Sequence, residues 1–105
     1  MDLTVDTTDN IAVVTLNGEN LDAANVKEFK MKTAPLLEKH TRMVFDLSHV
    51  RFVDSSGLGV LLSCLRTLNG KDGDLKLCGM TKQVRALFEL VRMQRIFDIF
   101  NTRDE

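Results

Sequence analysis

Strand-length apolar runs alternate with segments of helical period along this chain, and that alternation restricts it to an α/β architecture. "LTVDTTDNIAVVTLNG" reads as two strands joined by the polar "TTDN" turn, a hairpin. "IAVVTL" is apolar on both alternating faces, which predicts a covered, interior strand. In "LDAANVKEFKMKTAPLLEKH", Val26, Phe29, Lys30, Thr33, Leu36 and Leu37 fall at helical spacing, with Asp22 near the start. Pro35 is expected to kink the last turn of that helix or end it early. "RMVFDL" is a third strand whose Met43, Val44, Phe45 and Leu47 predict burial on both sides, and "SHVRFVD" is an extended connection. A second helix is expected from near Ser56 to about Leu68, closed by "NGKDGD", where Asn69 and Gly70 suit a left-handed helix end. "LKLCGM" is a fourth strand. "TKQVRALFELV" is a third helix with Thr81 as N-cap and Val84, Leu87, Phe88 and Val91 on one stripe. "RIFDIF" is a short final strand or turn. The order β-β-α-β-α-β-α demands crossovers, hence a small mixed, mostly parallel sheet. Three helices should cover one face of it better than the other.

With 105 residues the chain makes one domain, 1–105. Its net charge of −1, with acids and bases interspersed, lacks the basic patch of a nucleic-acid binder. No apolar run approaches the roughly 20 residues that span a bilayer. "MDLTVDTTDN" has neither a positive n-region nor an apolar h-region, so no secretion signal is read and a cytoplasmic location is expected. Cys64 and Cys78 lie too far apart for a CxxC pair, and each sits in an apolar run, as a buried, reduced thiol does. His40 and His49 are isolated, and Asp46 lies in a strand. Paired carboxylates, a phosphate-cradling glycine loop and a metal-ligand cluster are all missing, so no enzyme activity, cofactor or metal is expected. Met31, Met43, Met80 and Met93 read as gap-fillers, and Lys27, Lys30 and Lys32 as a solvated helix face.

"RFVDSSGLGVLLSCL" is the stretch with chemistry in it. On a helical wheel Leu58, Leu61, Leu62, Leu65 and Leu68 form the core arc, and Val60 falls opposite, on the outer face. Ser55 and Ser56 stand where the loop meets the first helical turn. The plain reading is a serine hydroxyl capping the helix. The functional reading is a phosphoacceptor: a phosphate there would meet several free backbone N–H groups. Gly57 and Gly59 would remove bulk so that a partner's active site could reach the hydroxyl. Asp54 adds a carboxylate that a new charge of about −1.5 to −2 would repel. A P-loop fails because no lysine follows Gly57 or Gly59, and a GxSxG elbow fails because Val53 holds the first glycine position.

"FVDSSGLGVLL" after "VFDLSHV" closely resembles the phosphorylation loop of the anti-sigma factor antagonists, the stand-alone STAS-domain proteins. "VVTLNGENLDAANV" resembles that family's second strand and its G-x-L-D-type turn into the first helix. "LKLCGMTKQVRALFELVRMQRIFDIF" resembles its last strand, third helix and terminal segment, so the likeness covers nearly the whole chain. The resemblance implies a STAS-like α/β fold with helices packed mainly on one face, and a role in partner switching. Such a protein, unphosphorylated, binds an anti-sigma factor that is also a serine kinase of the GHKL ATPase type, and so frees the sigma factor. Phosphorylation by that kinase breaks the complex, and a PP2C-type phosphatase reverses the mark. Carried over, Ser55 is the phosphoacceptor, and Asp54, Ser56, Gly57, Leu58 and Gly59 form the recognition loop. Val60 joins the docking face, and Asp22 and Asn25 match a turn that lies near the loop. The free protein is expected to be monomeric, without nucleic-acid or membrane partners. The chain departs from the family at three places. Gly18 to Asp22 is one residue longer than the usual G-x-L-D, and Arg92 stands where a glycine often ends the third helix. The chain stops at "NTRDE" where many relatives carry a further helix, so that helix is expected to be short or missing. The alternative carried beside this reading is a constitutive STAS adaptor subunit of a larger transporter-linked or stress complex.

Overall fold

The hairpin closes as the "TTDN" turn predicts. Strands β1 (Asp2–Thr8) and β2 (Ile11–Asn17) pair antiparallel around Asp9 and Asn10. Those two residues have φ of 52° and 67°, the pair of left-handed conformations that a two-residue turn needs to match strand twist. The computed structural model describes residues 1–101. Among them the chain continues through β3 (Asn20–Leu21), α1 (Val26–Lys39), β4 (Arg42–Asp46), β5 (Phe52–Val53), α2 (Ser55–Asn69), β6 (Asp74–Cys78), α3 (Lys82–Leu90), a 3-10 turn (Met93–Arg95) and β7 (Ile99–Phe100). The main sheet runs β1-β2-β4-β6-β7 and is parallel everywhere except in the hairpin. The expected mixed, mostly parallel sheet is therefore what forms, and "RIFDIF" supplies its last edge.

Alternate positions on the central strands decide where the helices go. Ala12, Val14, Leu16, Met43, Phe45, Leu75 and Leu77 are buried on one face, in the same core cluster as Phe29 of α1, Leu61 and Leu68 of α2, and Val84 and Phe88 of α3. The rings of Phe29 and Phe45 meet edge to face at 5.9 Å, a geometry that adds to plain area burial. The opposite face is more open: Val44 is only half-buried, beside half-buried Thr15, Asp46 and Lys76. The expectation that the third strand is covered on both sides is thus corrected. Val13 and Cys78 are buried on that open side all the same.

Local differences have local causes. Pro35 lies inside α1, which runs on to Lys39. Pro35 and Met31 are both exposed, so water can reach the carbonyl that the proline leaves unbonded. Gly70 is right-handed at φ −65°, and the left-handed residue after α2 is Asp72 at φ 59°. Thr81 caps α3 as expected, its hydroxyl accepting from the Val84 amide at 3.3 Å. Arg92 adopts φ 61°, so this chain places an arginine in the left-handed conformation that glycine takes most easily. Residues 102–105, where the further helix is in question, lie outside the described residues.

Candidate functional site

A second, two-stranded parallel sheet builds the site. β3 and β5 pair in the register Asn20↔Phe52 and Leu21↔Val53. The amides of Arg51 and Phe52 both donate to the Glu19 carbonyl, at 2.7 and 3.1 Å, and the Asp54 amide donates to Leu21 at 3.3 Å. This zipper brings the 20–25 loop against the start of α2, although the two lie far apart in sequence. Strands of two residues are too short to show a period, which is why "SHVRFVD" reads only as an extended connection.

Asp54 holds the junction. It is the N-cap of α2, and the helix begins at Ser55, one residue earlier than expected. One carboxylate oxygen accepts from the Gly57 amide at 2.9 Å, and the other accepts from the Ala23 amide at 3.0 Å. Its carbonyl accepts from Leu58 at 3.0 Å. The Gly57 amide above all, with those of Ala23 and Ser56, holds the Asp54 carboxyl below the usual aspartate range, against a smaller opposing effect of desolvation. Asp54 is therefore an anion at neutral pH. The plain reading of a serine cap is corrected, because an ionised acceptor binds amides more strongly than a hydroxyl does.

The serines are thus left free of any capping task. Ser55 is exposed and Ser56 half-buried, and among the described residues the Ser55 hydroxyl makes no hydrogen bond. Leu58 is half-buried. Asp22 and Asn25 do stand beside this junction. The Asp22 carboxylate accepts from the Ala24 amide at 3.0 Å, and the Asn25 side chain accepts from the Asp22 amide at 3.0 Å and donates to the Asn20 carbonyl at 2.7 Å. They shape the turn that offers the Ala23 amide to Asp54.

The two glycines differ. A Cβ on Gly57 would lie 2.2 Å from the Leu21 carbonyl oxygen and 2.8 Å from a Val53 methyl, so this glycine is needed for α2 to sit on the β3–β5 pair. A Cβ on Gly59 would meet nothing within 4 Å. Val60 is 2 % exposed, which corrects its placing on the outer face. The buried stripe of α2 is Gly57, Val60, Leu61, Cys64, Leu65 and Leu68, so the helix is rotated and Leu58 and Leu62 lie on its flank. The reason is that α2 packs on both β6 and α1, and so must bury a broader arc than its leucines mark.

A cleft of about 490 Å³ opens near the β3–β5 pair, lined in part by Glu19, His49, Arg51 and Thr81. None of the residues picked out from the sequence as a site lines it. What the site presents is a surface around Ser55 rather than a pocket. One large exposed side chain on β5, two residues before Asp54, carries no mark in the sequence: Phe52, which is 53 % exposed. Among the described residues no group of three or more His, Cys, Asp or Glu is placed to hold a metal, and no helix is long and apolar enough to cross a membrane.

The profile of the STAS domain matches residues 2–105. The chain belongs to the STAS domain family. BtrV of Bordetella bronchiseptica is 31 % identical to this STAS domain over 105 residues, covering 99 % of this chain and 90 % of BtrV. The anti-sigma-B factor antagonist of Staphylococcus aureus is 30 % identical over 102 residues, 94 % of each protein. In three dimensions the STAS domain superimposes on the Bacillus cell fate determinant SpoIIAA, solved in its phosphorylated form, with a TM-score of 0.72. That match has 21 % identity and covers 98 % of this chain and 94 % of SpoIIAA. The Staphylococcus aureus relative is thus named an anti-sigma-B factor antagonist, and SpoIIAA, in its unphosphorylated form, an anti-sigma factor antagonist.

Proposed function

We propose that this STAS domain is an anti-sigma factor antagonist whose binding to its kinase is switched by phosphorylation of Ser55. Unphosphorylated, it binds an anti-sigma factor that is a serine kinase of the GHKL ATPase type, and the kinase's target is released. The kinase transfers the γ-phosphoryl group of ATP to the Ser55 hydroxyl oxygen. The P–O bond to ADP breaks, an ester to serine forms, and the hydroxyl proton passes to a base on the kinase. Hydrolysis of that ester by a PP2C-type phosphatase restores the serine and yields inorganic phosphate. The protein is the substrate of these enzymes in the cytoplasm and not an enzyme itself.

The observation that carries the reading is the exposed Ser55 hydroxyl beside a helix end already occupied by Asp54. Free amides there would draw a phosphate in and neutralise part of its field. Here the Gly57 and Ala23 amides are bonded to the Asp54 carboxylate. An added charge of about −1.5 to −2 would face outward, next to an existing anion, and repel whatever had docked. The names of the relatives support the same role, and SpoIIAA is a protein of this fold that carries a phosphate. Gly59 adds to it. An exposed glycine in a helix interior costs roughly 0.5–1 kcal/mol relative to alanine, and no contact within the fold requires one here, which fits a face kept bare for a partner. Asp22 and Asn25 support the loop, while Ser56, Leu58 and Gly59 flank the acceptor.

The test is a titration of purified kinase with Ser55→Asp and Ser55→Ala. The aspartate variant should bind at least tenfold more weakly, about 1.4 kcal/mol. The alanine variant should bind like the wild type and take up no phosphate. Wild-type affinity in the aspartate variant would reject the switch.

A further inference from the structure

Phe52 is the one aromatic ring among the exposed large hydrophobic side chains of the described residues, at 53 %. Its backbone is not loose. The Phe52 amide is bonded to Glu19, the residue is in register with Asn20, and its neighbour Val53 is buried at 3 %. With Val53 turned inward on a strand, Phe52 must turn outward. Three residues of extended chain span roughly 11 Å at most, so the Phe52 backbone lies within that distance of the Ser55 backbone. A standard interface buries about 800 Å² on each partner, which is a disc of roughly 16 Å radius. The footprint of a protein docked over Ser55 therefore reaches as far as the Phe52 backbone.

From this we infer that Phe52 is the affinity anchor of the kinase-docking surface, an aromatic knob that enters an apolar recess on the kinase. The inference rests on the kinase reading above and goes beyond it by dividing the labour. Ser55 carries the switch, and Phe52 carries binding that does not depend on the phosphate. An exposed aromatic on a hydrogen-bonded strand suits that task, since few rotamers are lost on docking and a large apolar area leaves water. About half of the side chain is left uncovered by its own fold and is available to a partner.

The experiment uses the full chain and a purified GHKL-type serine kinase from the same organism, loaded with ADP so that no phosphoryl transfer occurs. Phe52→Ala should bind at least tenfold more weakly while its thermal midpoint stays at the wild-type value. Phe52→Leu should recover most of the affinity. With ATP, Phe52→Ala should raise the KM for Ser55 phosphorylation and leave kcat unchanged, as expected for an interaction equal in ground and transition states. Wild-type affinity in Phe52→Ala overturns the anchor. Ser55→Asp measured alongside reads the switch separately: if it binds like the wild type while Phe52→Ala does not, the anchor stands and the switch falls.

Discussion

Gly57 and Gly59 look alike in "SSGLG", yet they answer to opposite constraints. Gly57 lets a helix touch a strand's backbone, and Gly59 leaves helix surface uncovered toward solvent. Read as sequence, both removed bulk for a partner, and only the coordinates separate them. The prediction is a pair of shifts with opposite sign. Gly57→Ala should destabilise by about 2 kcal/mol, because its Cβ cannot avoid the Leu21 carbonyl without moving α2 off the β3–β5 pair. Gly59→Ala should stabilise by roughly 0.5–1 kcal/mol. Urea unfolding of both variants checks this, and shifts of equal sign would contradict the geometry. On the proposed reading that the kinase docks over this helix start, Gly59→Leu should fold normally and lose affinity for it.

At the scale of the element, α2 is governed by its cap. The folded-state carboxyl of Asp54 is held below its ordinary value of 3.8, chiefly by the Gly57 amide. A depressed carboxyl contributes stability above the unfolded value, and that contribution is lost as pH falls through the folded one. Stability should therefore drop on acidification below 3.8 more steeply in the wild type than in Asp54→Asn. Asparagine caps a helix about as well and does not titrate, so the difference between the two curves isolates Asp54. Glu28, lowered by the N-terminal ammonium and by Lys32, is common to both proteins and cancels. Parallel acid limbs in denaturant midpoints would show that the cap does not couple to folding. The same element shows where a helical wheel misleads. Its five leucines mark a real face, but Val60 and Cys64 are buried too, because α1 and β6 press on the helix from two sides.

Across the whole molecule, both thiols are sealed, on opposite faces of the sheet. Cys64 is 3 % exposed within the helix-side core, and Cys78 is 1 % exposed on the more open side. Burial pushes the Cys64 thiol up to about 11, so its reactive thiolate is scarce even at mildly alkaline pH. Labelling of the native protein by a thiol reagent should be slow at both sites and should accelerate with urea in step with unfolding. Gly57→Ala should label faster than the wild type, about tenfold for each 1.4 kcal/mol of lost stability. A rapid stoichiometric phase from either cysteine in native buffer would show that the interior opens locally.

The order of the main-sheet strands and the three helices, the hairpin and the Thr81 cap were all legible in the chain, because periodicity and turn residues are local properties. Family likeness extended them to nearly every residue. What required the tertiary structure was whatever depends on contacts between distant segments. The β3–β5 pair, the Asp54 carboxylate bridging Ala23 and Gly57, the buried side of Val60 and the outward ring of Phe52 are set by which backbone arrives opposite them. A sequence states what each residue can bury or bond, and only the fold decides which neighbours are there to receive it.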